Sequence, residues 1–331
     1  MTVTTPMKDL YTRLGSIGIA KNFASKTLPS WWDDEIALSP SGFQQAQLYF
    51  ARTFNIELRS LICEGAPRFY PAKHKFKLNR NVSEAEVSAS ANYATAIARL
   101  ALLAIEKPYS PVSSDPSELR EQILQKQPCV NLVGLLDHCA SLGIPVIHIE
   151  KMPGKKMAGL AIRIDGRYAI VLSKKAHPAY LLFHLAHELG HIANGHLVQD
   201  GFLVDQKIGE GNRDDADENE ADAYAIRLLN GAEIKYTAAP NLIRNGKQLY
   251  QSAEIKAKAA GVDVGHIILN YGHGQGNFQI AATALKFIPG PCDGNEVVNG
   301  AFFRGLNSGR LSDDQLELLQ HATNYSTDPA N

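Results

Sequence analysis

Short groups of apolar residues at helical spacing occupy the first 66 positions of the chain. Leu10, Leu14, Ile17 and Ile19 form one group, ahead of a turn at Leu28-Pro29-Ser30-Trp31-Trp32. A second predicted helix begins near Ser41 and carries Phe43, Ala46, Leu48, Phe50, Ala51 and Phe54. Farther on, Ser83-x-x-Glu86 reads as a capping box, in which two side chains satisfy each other's free backbone N–H groups. It opens a long predicted helix with Ala89, Tyr93, Ile97, Leu100 and Leu103 on one face. That helix runs into Lys107-Pro108-Tyr109-Ser110-Pro111-Val112-Ser113-Ser114-Asp115-Pro116, whose prolines and serines mark a linker.

Past the linker the pattern becomes mixed. Leu119 to Leu124 and Leu132 to Leu142 have helical spacing, and Gly143 stops the second of these helices. Ile144 to Ile149 reads as a strand. Gly159 to Ile164 and Tyr168 to Leu172 read as two more, joined by Asp165-Gly166, a dipeptide that favours the tight turn of a hairpin. Pro178 sits at the first turn of a helix that ends at Asn194-Gly195, and another helix covers Asp217 to Leu229. The last hundred residues read as helices and loops, with a cap at Ser312-x-x-Gln315 and a frayed tail from Thr323. The pattern therefore predicts an α+β, mostly helical chain in four parts. These are an N-terminal helical region (1–66), a connecting long helix with its linker (67–112), an α/β core (113–235) and a C-terminal extension (236–331).

Composition changes this picture little. Hydrophobic residues make up 45% of the chain and charged residues 20%, as in a folded domain. The net charge of −1 creates no field that would draw the chain to nucleic acid or to a membrane surface. Ala51 to Leu61 has a faint helix-turn-helix look, but a packing module is the better reading than a DNA reader. Lys73, Lys75, Lys77 and Arg80 form a basic run that reads as a solvated strand or loop. No apolar stretch is long enough to span a bilayer, and Met1 to Leu10 lack the apolar run of a secretory signal. A cytoplasmic protein is expected. Cys63, Cys129, Cys139 and Cys292 are scattered and read as buried free thiols.

The chemistry concentrates in His187-Glu188-x-x-His191. On a helix, residues four apart differ by about 40° of rotation, so both imidazoles lie on one face, one turn apart. Glu188 is turned by about 100° from His187 and sits beside the space they share. Two such histidines need a third ligand. Glu218 lies 27 residues beyond His191, far enough for the chain to turn back with a second helix. Glu218, Ala221, Asp222 and Ala225 share a face of that helix, whereas Glu220 points away toward solvent. Asp222, one turn after Glu218, is placed to accept the free N–H of a ligand histidine. His187, His191 and Glu218 would leave zinc a fourth position for water, as catalytic zinc sites do. Zinc lowers the pKa of that water to about 7, and Glu188 is the expected base. The same ligand set also serves non-haem iron oxygenases, which need no base between the histidines. His184 is a weaker candidate for supporting a ligand or touching substrate, with a half-exposed filler the better reading; Tyr224, His266, Tyr271 and His273 are the side-chain types available to stabilise an oxyanion, with ordinary burial or loop placement the better reading for each.

Gly159-Leu160-Ala161-Ile162-Arg163, Ile170-Val171-Leu172-Ser173, His187-Glu188-Leu189-Gly190-His191 running on to Gly195-His196, and Glu218-x-Glu220-Ala221-Asp222-x-Tyr224-Ala225 together resemble the ImmA/IrrE family of metallo-endopeptidases. The resemblance covers about a third of the chain. Leu28 to Trp32 is also similar to the N-terminal region of some longer members. It implies a minimal zincin-like core, a small sheet packed on the metal helix and the glutamate helix. It also implies proteolysis of a regulatory protein, commonly a helix-turn-helix repressor. Ligand roles fall on His187, His191 and Glu218, and the base role on Glu188. The chain departs from the family at Tyr224, where phenylalanine is usual, at Asn230-Gly231 in place of Met-Pro, and in a long insert at 200–217. The competing expectation is a transcriptional or toxin–antitoxin regulator that keeps a zinc fold for binding alone.

Overall fold

The computed structural model describes residues 6–63, 65–71, 73–77, 84–174, 176–205, 216–237 and 242–326, with the backbone alone at 73–77, 84–86 and 204–205. The described residues open with four α-helices, α1 (Pro6–Ser16), α2 (Lys21–Thr27), α3 (Pro40–Thr53) and α4 (Leu58–Ile62), with a 3-10 turn at Asp34–Leu38 before α3. A strand, β1 (Lys73–Lys77), and a long helix, α5 (Glu84–Ala104), follow. Ser83 of the expected capping box, and Arg80 of the basic run, lie outside the described residues. Then come α6 (Pro116–Leu124), α7 (Leu132–Ser141), β2 (Val146–His148), β3 (Gly159–Ile164), β4 (Arg167–Leu172), α8 (Pro178–Ala193), β5 (Gly201–Asp205) and α9 (Ala216–Asn230). The chain ends with α10 (Gly246–Ala260), α11 (Val264–Gly274), α12 (Phe278–Leu285), α13 (Gly294–Arg304) and α14 (Asp313–Thr323).

The strands form one mixed sheet in the order β1-β5-β3-β4-β2. β3 and β4 are an antiparallel hairpin, β5 runs antiparallel along the other side of β3, and β1 and β2 add in parallel at the two edges. Asp165 and Gly166 both take positive φ, 50° and 75°, which is the backbone shape of a two-residue hairpin turn. Alternation along the strands gives the sheet two apolar faces. Leu160, Ile162, Ile164, Ala169, Val171 and Phe202 join a core shared with α1, α3, α5 and α14. Ala161, Tyr168, Ile170, Leu172 and Leu203 face the other way, into a core made with α6, α7, α8 and α9. A third cluster unites α10, α11 and α12 with Ala179 at the start of α8. The described chain is thus α+β, mostly helical, with a small mixed sheet.

Three local readings change. α5 has no single apolar stripe: Ala89 to Ala98 are all buried, whereas Leu103 is exposed. The helix is flanked by the sheet on one side and by α3 and α14 on others, so its small Ala and Ser side chains are covered all round. Residues 201–205, within the Asp- and Gly-rich insert, form a strand that completes the sheet beside β3. Of the four free thiols only Cys139 is buried, and Cys63 and Cys292 are exposed. Burial pushes the Cys139 thiol up to about 12, which makes it a poor nucleophile despite its neighbour His138. Among the described residues, no helix is long and apolar enough to cross a membrane.

Candidate metal centre

α8 carries the histidines, and local chemistry sets where it starts and stops. His177 Nδ1 accepts the N–H of Ala179, and Pro178 occupies the first turn, where no N–H is missed. At the other end Gly195 takes φ 71°, which turns the chain back so that His196 N–H donates to the His191 carbonyl at 3.0 Å. α9 crosses against α8 at very short range. A Cβ placed on Gly190 would lie 3.0 Å from the Ala221 carbonyl oxygen and 3.1 Å from its Cα, so the missing side chain is what admits the second helix.

α9 is also held from outside. Arg120, 8% exposed, donates from its guanidinium to the carbonyls of Leu228 (3.0 Å), Leu229 (2.7 Å) and Gly261 (2.8 Å), satisfying the end of the helix. Tyr224, the departure from the usual phenylalanine, donates its hydroxyl to the Ser113 carbonyl at 2.8 Å and ties α9 to the segment before α6. Gly231 ends the helix with φ 77°. Arg120→Ala is expected to cost on the order of 2–3 kcal/mol of stability, because three charge-assisted bonds, two of them buried, are lost together. Urea denaturation measures it, and a change within about 0.5 kcal/mol, as for an ordinary surface substitution, would show the anchor to be dispensable.

This packing brings His187, His191 and Glu218 together, with donor atoms all within 4.8 Å of one another. The two imidazole Nε2 atoms are 3.0 Å apart. Glu218 Oε2 lies 3.4 Å from His187 Nε2, and its Oε1 lies 3.5 Å from His191 Nε2. Ligand atoms at the corners of a tetrahedron with bonds of about 2.0–2.1 Å are about 3.3 Å apart, so this donor set fits one metal ion. His187 and His191 are fully buried, and Glu218 is 8% exposed. Asp222 Oδ1 accepts from His187 Nδ1 at 2.9 Å, leaving the Nε2 lone pair directed at the cluster.

Glu188 is fully buried beside the histidines. It occupies the space that a side chain on Gly159, the first residue of β3, would fill: a Cβ there would lie 2.8 Å from Glu188 Cγ and 2.9 Å from its Cδ. Gly159 is a site residue that periodicity could not single out, since its contribution is an absent atom. His184 lies one turn before His187, with Nδ1 buried and lacking a hydrogen-bond partner. Burial, with help from His187 and Lys174, pushes its ring down to about 3, so it stands neutral. Of the candidates for oxyanion contact, Tyr224 spends its hydroxyl on Ser113. His266 is buried in α11 with its ring stacked on Phe183, centroids 6.3 Å apart. Tyr271 is buried in the same helix and His273 is exposed near its end.

A buried two-histidine, one-carboxylate cluster on crossing helices beside a small mixed sheet is the arrangement of a zincin-like metallopeptidase. Residues 139–245 match the family model for Peptidase M78, the IrrE N-terminal-like domain, which supports an ImmA/IrrE-type metallopeptidase over about a third of the chain. No curated protein and no solved structure matches the chain. The matched segment runs from the end of α7 to the residue before α10, so α1 to α6 and α10 to α14 lie outside it.

Proposed function

We propose that the protein is a zinc endopeptidase that cuts a peptide bond in a regulatory protein, in the first instance a helix-turn-helix repressor. The observation that carries the hydrolytic reading is the buried Glu188, next to His187 in α8, together with the three donors His187, His191 and Glu218 gathered within 4.8 Å of one another. Zinc in that cluster would supply a Lewis acid that polarises a peptide carbonyl and brings the pKa of water to about 7. Glu188 would take the proton of the attacking water and return it to the departing amine, the work of a general base turned acid. Asp222 would hold the His187 ring in one orientation and one tautomer. Burial keeps the carboxylate out of bulk water, which strengthens its interactions with charge developing nearby. A fold kept only for binding has no use for a base in this position, so the competing regulator reading loses support. The substrate class rests on the resemblance to ImmA/IrrE endopeptidases.

Two measurements test the proposal. The full chain should retain about one equivalent of zinc, and Glu218→Ala should retain almost none while still folding, because two histidines alone make a weak site. The zinc-loaded chain should cut a helix-turn-helix repressor from the same source at one or a few positions, and a chelator should stop the reaction. Cleavage that persists after zinc is stripped would overturn the mechanism. An intact repressor, alongside efficient digestion of an unrelated unfolded protein, would overturn the substrate.

A further inference from the structure

His191 makes a contact that the helical wheel does not anticipate. Its Nδ1 lies 2.8 Å from Nδ1 of His196, five residues on and past the left-handed Gly195. His196 Nε2 in turn lies 3.2 Å from Glu220 Oε2 and 4.0 Å from Asp217 Oδ1. The His196 side chain is 6% exposed and that of Glu220 is 63% exposed. Glu220, which its position on the helix assigns to solvent, therefore closes a chain of contacts running from the surface of α9 to the buried cluster.

With both rings neutral, this chain has one consistent arrangement of protons. Two ring nitrogens at 2.8 Å share a single proton: with two they would collide, and with none their lone pairs would repel. A carboxylate accepts hydrogen bonds, so the nitrogen of His196 that faces Glu220 is the one carrying hydrogen. His196 Nδ1 then carries a lone pair, and His191 Nδ1 is the donor. His191 Nε2 is left with its lone pair toward His187 and Glu218, which is the tautomer a metal ligand needs. His187 reaches the same state through one direct bond to Asp222. His196 does not belong to the donor cluster itself, because both of its nitrogens are engaged on the far side of His191.

The geometry points to His196 and Glu220 as a positioning pair that fixes the tautomer and ring orientation of His191, matching what Asp222 does for His187. This rests on the reading of His187, His191 and Glu218 as zinc ligands. The test is zinc affinity of the full chain, measured in competition with a chromophoric chelator, with the unfolding midpoint of each zinc-free variant taken in parallel. His196→Leu, which keeps bulk but offers no acceptor, is expected to bind zinc roughly 10–100-fold more weakly. His196→Asn is expected to recover most of the loss, since its amide can accept from His191 and donate to Glu220. Glu220→Ala, at an exposed position that tolerates change, is expected to weaken binding in the same direction. With cobalt in place of zinc, the visible absorption bands should shift in His196→Leu and return in His196→Asn. Unchanged affinity in either His196→Leu or Glu220→Ala overturns the pair, and so does an Asn variant as weak as the Leu variant. A parent chain that takes up no zinc would instead remove the metal site on which the pair depends.

Discussion

Glu188→Gln is expected to leave about one equivalent of zinc bound and to lower the rate of peptide cleavage by roughly 10²–10⁴-fold, the usual contribution of a positioned general base. Glutamine has nearly the same shape, so the packing against Gly159 should survive. It cannot take up a proton at working pH, so whatever depends on proton transfer should fail. Metal content and cleavage must be measured on the same preparation, with the unfolding midpoint as a control for damage to the buried site. The expected combination is full metal, a near-parental midpoint and cleavage lowered by that factor. Cleavage within about tenfold of the parent would mean that Glu188 is not the base. A lost metal ion would mean that it acts as a ligand or holds one, which the distances among His187, His191 and Glu218 do not suggest.

The parts of the fold legible from sequence are those whose cause is local. Asp165-Gly166 announces a hairpin because few dipeptides accept two successive positive φ values, and Gly143 and Gly195 end α7 and α8 for the same steric reason. The cluster was legible because a four-residue helical spacing fixes where two side chains point, and because small residues on one face of α9 let it approach α8. What stayed hidden depends on distant partners. β5 is a five-residue strand whose pairing with β3 joins residues about forty apart, and nothing within 201–205 specifies that partner. The burial of α5 on nearly every side follows from what the rest of the chain stacks around it. Glu220 was assigned outward correctly as far as exposure goes. Its bond to His196 needed the turn at Gly195, which swings the ring back over the start of α9.

Gly159 and Gly190 offer a way to separate the two jobs of the site, because each leaves room for a different part of it. Gly159 opens β3 and is paired with Leu172 on one side and Asp205 on the other, so its backbone has little freedom to retreat. A methyl group in Gly159→Ala would press on Glu188 Cγ and Cδ, at 2.8 and 2.9 Å, and the buried carboxylate would have to move. Overpacking of this kind costs about 1–3 kcal/mol of stability. A displacement of about 1 Å at a reacting group can cost on the order of 10²-fold in rate. Cleavage should therefore fall by about that factor while zinc affinity stays near the parent value, since the three atoms nearest the new methyl all belong to Glu188. Gly190→Ala presses instead on the Ala221 backbone and on Tyr224 Cβ, at 3.0 to 3.2 Å, and should push α9 away from α8. Glu218 rides on α9, so this variant should lose zinc affinity first and activity only as a consequence, restored by excess zinc. The decisive comparison is cleavage at saturating zinc: Gly190→Ala should recover and Gly159→Ala should not. If both recover, the glycine on β3 provides space for packing alone, and the placement of the base does not depend on it.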